Sequence, residues 1–205
     1  MSKNELIKYP FQEELLNKDI IEVTWLGRGG QGAVTASELV AMSAIKEGKN
    51  AIAIPEFGAE RRGVPVRAYT RVSKELKEIH KTPIVNPDIF VLLDPSLLSK
   101  AKNYIDLKDD GVVIANTQLS KDEAIKVMGI KVKEENFFVI DAKSIVMRIL
   151  GRPIYNTVMV GAFIAIVPIV KLETVLESVR ETFKGKLGDL NAQVIEEGYK
   201  HFFKK

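Results

Sequence analysis

Apolar residues along the chain follow two rhythms, short β-branched runs and longer stretches with helical spacing. The run IIEVTWL (20–26) is apolar and β-branched, so it reads as a first strand that feeds directly into glycines. From Gln31 onward, Val34, Leu39, Val40, Met42 and Ile45 return at helical intervals until Gly48, which predicts a helix. A second strand, AIAIP (51–55), leads into the polar loop EFGAERRG. In PVRAYTRVS (65–73), Val66, Ala68, Thr70 and Val72 alternate with Arg67, Tyr69 and Arg71. One face of this strand is expected to be wet, as at an edge or in an antiparallel segment.

Three further runs, DIFVLLDPS (88–96), GVVIANT (111–117) and FFVIDAKS (137–144), are nearly continuous apolar strands that end in polar residues, the pattern of buried parallel strands. Helical patterns are expected over 95–103, 120–128 and 142–150. Others cover 156–167, 171–183 and 189–202, with breaks at Gly151-Arg152-Pro153, at Pro168 and over 185–188. The predicted fold is α/β: a mostly parallel sheet with helices on both faces and a Rossmann-like glycine turn after the first strand. Residues 20–205 form a single domain in this reading, and 1–19 form an N-terminal arm. The apolar segment NTVMVGAFIAIVP reads as a core helix.

Composition narrows the function classes. With 30 basic and 27 acidic side chains the net charge is +3, which gives no reason to expect nucleic acid or an anionic membrane as partner. The N-terminus lacks the apolar core of a secretory signal. The longest uncharged apolar stretch, 157–170, is fourteen residues and includes Pro168, too short to cross a bilayer. A cytoplasmic protein is expected. Cysteine is absent, which excludes thiolate-ligated clusters, cysteine-bound zinc and disulfides. His80 and His201 are the only imidazoles, so no metal site is expected on this chain.

Two loops carry candidate chemistry. In WLGRGGQGAVTAS (25–37), Gly27, Gly29 and Gly32 fit the dinucleotide fingerprint. A phosphate-binding Walker loop is excluded, because Ala33-Val34 stand where Lys and Ser or Thr are needed. A dinucleotide site would place pyrophosphate at the helix N-terminus and Glu56 on the ribose. The plain alternative is a tight strand-to-helix turn with no ligand. Arg28 and Gln31 add donors within the loop, either for an anion or for another protein. In PEFGAERRGVPV (55–66), Arg61 and Arg62 present guanidinium forks to phosphates or carboxylates, or else lie in a solvated or intersubunit loop with Glu60 as an ion-pair partner. The carboxyl ends of parallel strands gather ligands. Here those ends carry the glycine loop, Glu56, Asp94, Asn116 and Asp141.

Taken together and in order, GRGGQGAVTAS, PEFGAERRGVPV, DPSLL (94–98), VVIANT (112–117), IDA (140–142), LGRPIYNTVMVGAF (150–163) and KGKLGDLNAQ (184–193) resemble the gamma subunit of the 2-oxoacid:ferredoxin oxidoreductases, closest to the pyruvate and 2-ketoisovalerate members. The resemblance runs from about residue 20 to the end of the chain. It implies a non-catalytic component of an enzyme that oxidatively decarboxylates pyruvate, reduces ferredoxin and forms acetyl-CoA. Alpha and beta subunits would hold thiamine diphosphate and Mg, and iron–sulfur clusters would lie on the beta and delta subunits. No catalytic residue is carried over to this chain, which alone is expected to be inactive. The absence of cysteine agrees with this division, and Gly188-Asp189-Leu190-Asn191 is not the thiamine-binding Gly-Asp-Gly pattern. The cofactor-contacting residues expected are Gly27, Arg28, Gly29, Gly30, Gln31, Gly32, Arg61 and Arg62, against CoA phosphates or the catalytic subunits. The isolated chain is expected to form a homodimer through its exposed interface. The alternatives are a free-standing NAD-binding oxidoreductase and a purely structural module.

Overall fold

The computed structural model describes residues 8–56, 63–75 and 79–203. Six strands form one sheet: β1 (Ile20–Arg28), β2 (Asn50–Pro55), β3 (Pro65–Ser73), β4 (Ile89–Leu92), β5 (Val112–Asn116) and β6 (Phe137–Ile140), in spatial order β2-β3-β1-β4-β5-β6. Pairings of β1 with β4, β4 with β5 and β5 with β6 are parallel; β3 runs antiparallel to both β1 and β2.

Alternation along the strands divides the core in two. Ile21, Val23, Trp25, Val91, Ile114 and Phe138 face one side, with helices α1 (Phe11–Asn17), α2 (Ala33–Lys46), α4 (Ala142–Ile149), α5 (Asn156–Ile166), α6 (Leu172–Thr182) and α7 (Lys186–Lys200). Leu26, Phe90, Leu92, Val113 and Phe137 face the other, under a 3-10 helix (Pro95–Asn103) and α3 (Lys121–Met128). On the thicker side α5 is the hub, with all eleven residues buried, as its unbroken apolar sequence predicts. The Trp25 ring packs 5.2 Å from Phe163 of α5, and its indole N–H donates to the Thr70 hydroxyl at 2.9 Å. This partner lets the largest aromatic sit in the core without a lost hydrogen bond.

Several expectations need correction. β3 is antiparallel but interior, and β2 is the edge. Of the wet-looking residues of β3, Tyr69 and Arg71 are buried and Arg67 is partly so: Arg71 pairs with Glu22 at 2.9 Å and donates to the carbonyls of His80 and Thr82, both at 2.6 Å. Its polar periodicity marks internal ion pairs, since partnered charge can be buried as apolar surface is. The 95–103 segment is 3-10, and strands 88–96 and 137–144 shorten to β4 and β6. Of the break expected over 185–188, Gly185 holds with φ 66° as the cap residue of α7, while 186–188 lie inside the first turn of that helix, which begins at Lys186. In the segment expected as an arm, α1 buries Leu15, and Tyr9 sits edge-on to Phe138 at 4.7 Å. Gln12 Nε2 donates to the Ile166 carbonyl at 2.6 Å. Among the described residues no helix is long and apolar enough to cross a membrane.

Candidate functional site

The glycine loop joins β1 to α2 at the carboxyl edge of the parallel strands, in the strand–turn–helix order expected. It is not the first half of a dinucleotide fold, however, because β3 stands between β1 and β2. Gly32 is the cap residue of α2, in the left-handed region with φ 82°, and no side chain caps the helix. A Cβ at Gly32 would lie 2.5 Å from Asn156 Nδ2, so both backbone strain and crowding require glycine here. A helix start of this kind, with backbone N–H groups ahead of the helix dipole, is chemically suited to an anion.

Asp94 braces the loop. Its carboxylate accepts from Ser96 N at 2.8 Å, from Ser96 Oγ at 2.5 Å and from Gln31 Nε2, and Arg28 Nε stands 3.7 Å away. Gln31 Oε1 in turn accepts from Arg28 N at 2.8 Å. Arg28 also donates through Nε to Ser96 Oγ at 2.9 Å and through Nη1 to the Gly63 carbonyl at 2.7 Å. Arg28 and Gln31 thus spend side-chain donors within the loop, as do the amides of Arg28, Gly29 and Gln31, which leaves the amides of Gly30 and Gly32 as the loop's candidates for a ligand. The second loop is joined to the first where it returns to the described chain: Gly29 N donates to Val64 O at 2.8 Å and Gly63 N to Gly29 O at 3.3 Å. Arg61 and Arg62 precede that junction and lie outside the described residues.

The neighbouring strand ends are bound together in the same way. Asn116 Nδ2 donates to the Leu93 carbonyl at 2.7 Å, and its Oδ1 accepts from Ala142 N at 3.2 Å, tying the end of β4 to the start of α4. Burial opposes the charge of Asp141, but hydrogen bonds from Ser144 and Gln118 outweigh it and lower its pKa. Between the acids sits a residue that sequence reasoning did not single out. Burial first, then the charges of Asp94 and Asp141, hold the Tyr155 phenol above its ordinary pKa. Tyr155 and Asn156 lay in the conspicuous segment LGRPIYNTVMVGAF, but only the fold brings them to the glycine loop. Glu56 is separate from this group. Partial burial works against its charge, but Arg67 at 2.5 and 2.7 Å and the Tyr69 hydroxyl at 2.7 Å outweigh it and lower its pKa. A carboxylate so engaged is poorly placed to receive ribose hydroxyls. Among the described residues no three His, Asp or Glu side chains gather as metal donors.

The sequence profile of the pyruvate ferredoxin/flavodoxin oxidoreductase family matches residues 22–201. The chain belongs to that family. Over 180 residues it is 47% identical to the pyruvate/ketoisovalerate oxidoreductases common subunit gamma of Thermococcus kodakarensis, covering 88% of this chain and 96% of the relative. It is 42% identical over 186 residues to the pyruvate synthase subunit PorC of Methanocaldococcus jannaschii, covering 91% and 99%. The crystal structure of pyruvate oxidoreductase subunit PORC from Thermotoga maritima matches with a TM-score of 0.78 at 34% identity, over 91% of this chain and 98% of that one. Within the pyruvate ferredoxin/flavodoxin oxidoreductase family these relatives are subunits of larger enzymes, which supports the subunit reading and not the free-standing NAD-binding one.

Proposed function

We propose that the chain is the gamma subunit of a cytoplasmic pyruvate:ferredoxin oxidoreductase, which converts pyruvate and CoA to acetyl-CoA and CO2 while ferredoxin is reduced. Its partners are the alpha, beta and delta subunits, and its own part is structural and CoA-contacting. The observation that carries this reading is the family match across 22–201 in a chain without a single cysteine. Electrons leaving a 2-oxoacid need thiamine and iron–sulfur chemistry, and this chain offers neither thiolates nor a carboxylate–histidine cluster among the described residues to hold those groups. They belong to the other subunits.

CoA fits differently, since its phosphates need N–H donors and positive charge and no metal ligand. The amides of Gly30 and Gly32 at the start of α2, with Arg61 and Arg62 on the adjoining loop, are the groups of this chain that would hold them. Bound there, the thiol carrier would be oriented toward the catalytic subunits while this chain performs no bond-making step. In the assembled enzyme, Arg61→Ala with Arg62→Ala is expected to raise the KM for CoA about tenfold or more, the size of a lost charge-assisted contact, with kcat little changed. If the KM for CoA and complex assembly are both unchanged, these arginines have no such role.

A further inference from the structure

Next to the glycine loop, and sharing Asn156 with it, one cavity stands out in its construction. It measures about 380 Å³ and lies between the turn that links α4 to α5 and the turn that links α6 to α7, with Leu150, Ile154, Phe183 and Leu190 among its apolar walls. Leu187 lines it while remaining 52% exposed. Met147, one helical turn before Leu150 and on the same side of α4, is 45% exposed. Large aliphatic side chains left in water beside an open apolar cavity mark a surface that something covers.

The charges beside it indicate what that is. Arg152 lines the cavity, and Lys184 and Lys186 flank its wall residues Phe183 and Leu187 in the chain. All three are exposed, and among the described residues none has an ion-pair partner. Nearby cations are engaged: Arg148 pairs with Glu197 at 2.7 Å and Arg180 with Asp189 at 3.2 Å. A second copy of this chain is the wrong occupant, because a two-fold contact through this face would set the same three cations against one another. A partner bearing carboxylates meets no such repulsion.

We infer that this cavity is the socket for a segment of another subunit that presents one or two large apolar side chains flanked by Asp or Glu. The inference rests on the proposed subunit role and adds to it a docking face and the chemistry of what docks. The apolar side chains fill the socket between Phe183 and Leu187, and the carboxylates meet Arg152, Lys184 and Lys186 at its rim, the arrangement of a buried anchor within a polar ring.

The test uses the whole complex, purified anaerobically through a tag on this chain. Leu187→Asp and the double variant Lys184→Glu with Lys186→Glu are expected to weaken retention of the chain in the complex about tenfold or more, as loss of an anchor or of complementary charge does. Leu187→Met should assemble like the wild type. Because position 187 is half exposed, the melting temperature of each isolated chain should not change, which separates lost docking from lost folding. A benzophenone side chain placed at position 187 should cross-link to an apolar segment rich in Asp or Glu on another subunit. Wild-type retention of all the variants would overturn the inference, as would a cross-link to a second copy of this chain. If the wild-type chain itself is recovered without partners, the subunit role falls and this docking face falls with it.

Discussion

Asp94 is the residue on which the glycine loop depends. It caps the 3-10 helix through Ser96 and at the same time receives Gln31, which holds the turn from the side. Asp94→Ala is expected to cost roughly 0.5–2 kcal/mol in urea denaturation, since it removes the side-chain cap of the 3-10 helix and the hydrogen bond from Gln31. Gly32→Ala should cost about 2 kcal/mol or more, combining left-handed strain with the collision at Asn156. Glu56 makes a pH-dependent contribution. Because its pKa in the folded chain lies below the ordinary 4.5, its stabilisation is complete above that value and is lost as acid protonates it. The difference in melting temperature between wild type and Glu56→Gln should therefore be largest near neutral pH and shrink as the pH falls below 4.5. A difference independent of pH would show that the carboxylate charge is not what Arg67 and Tyr69 stabilise. At this scale the sequence revealed the glycines and Asp94 as residues of interest. It did not reveal that Arg28 and Gln31 point at Asp94, because the sixty-odd residues between them bring no local signal of contact.

Helix α5 packs against α7 more closely than ordinary side chains allow. A Cβ at Gly161 would collide with the Ile195 carbonyl, and one at Gly198 with the Val158 carbonyl. Both obstacles are backbone, which cannot swing aside. Gly161→Ala is expected to destabilise by about 1–3 kcal/mol or more through overpacking, read as a lower denaturation midpoint with the slope unchanged. A neutral result would mean that the two helices can separate without loss. The elements themselves were largely legible, because apolar periodicity and glycine or proline punctuation act locally. What escaped was the position of β3. Its alternation of Arg and Tyr with small apolar residues is the same whether the polar face meets water or meets Glu22 and Glu56, and only strand order decides between them. The helical start of α7 across Gly188 was hidden for a related reason. A glycine reads as a break until Phe183 is seen lying against it, where a Cβ would strike the carbonyl oxygen.

At the scale of the whole molecule, two hydrophobic cores on opposite faces of one sheet make a rigid platform. Its carboxyl edge carries the glycine loop, Asp94, Asn116, Asp141 and Tyr155, laced to one another by hydrogen bonds and by charge. Among the described residues no three His, Asp or Glu side chains gather there as metal donors. On the proposed reading the chain is a subunit that holds and positions while others carry out the chemistry. That central claim is tested most directly by anaerobic affinity purification of the tagged chain from its native source, followed by identification of the co-eluting chains and an assay of CoA-dependent pyruvate oxidation with a ferredoxin surrogate. The account predicts co-elution with thiamine- and cluster-bearing subunits, activity in that complex, and no activity or NADH binding in the chain alone. A chain that elutes by itself and binds NADH would contradict it.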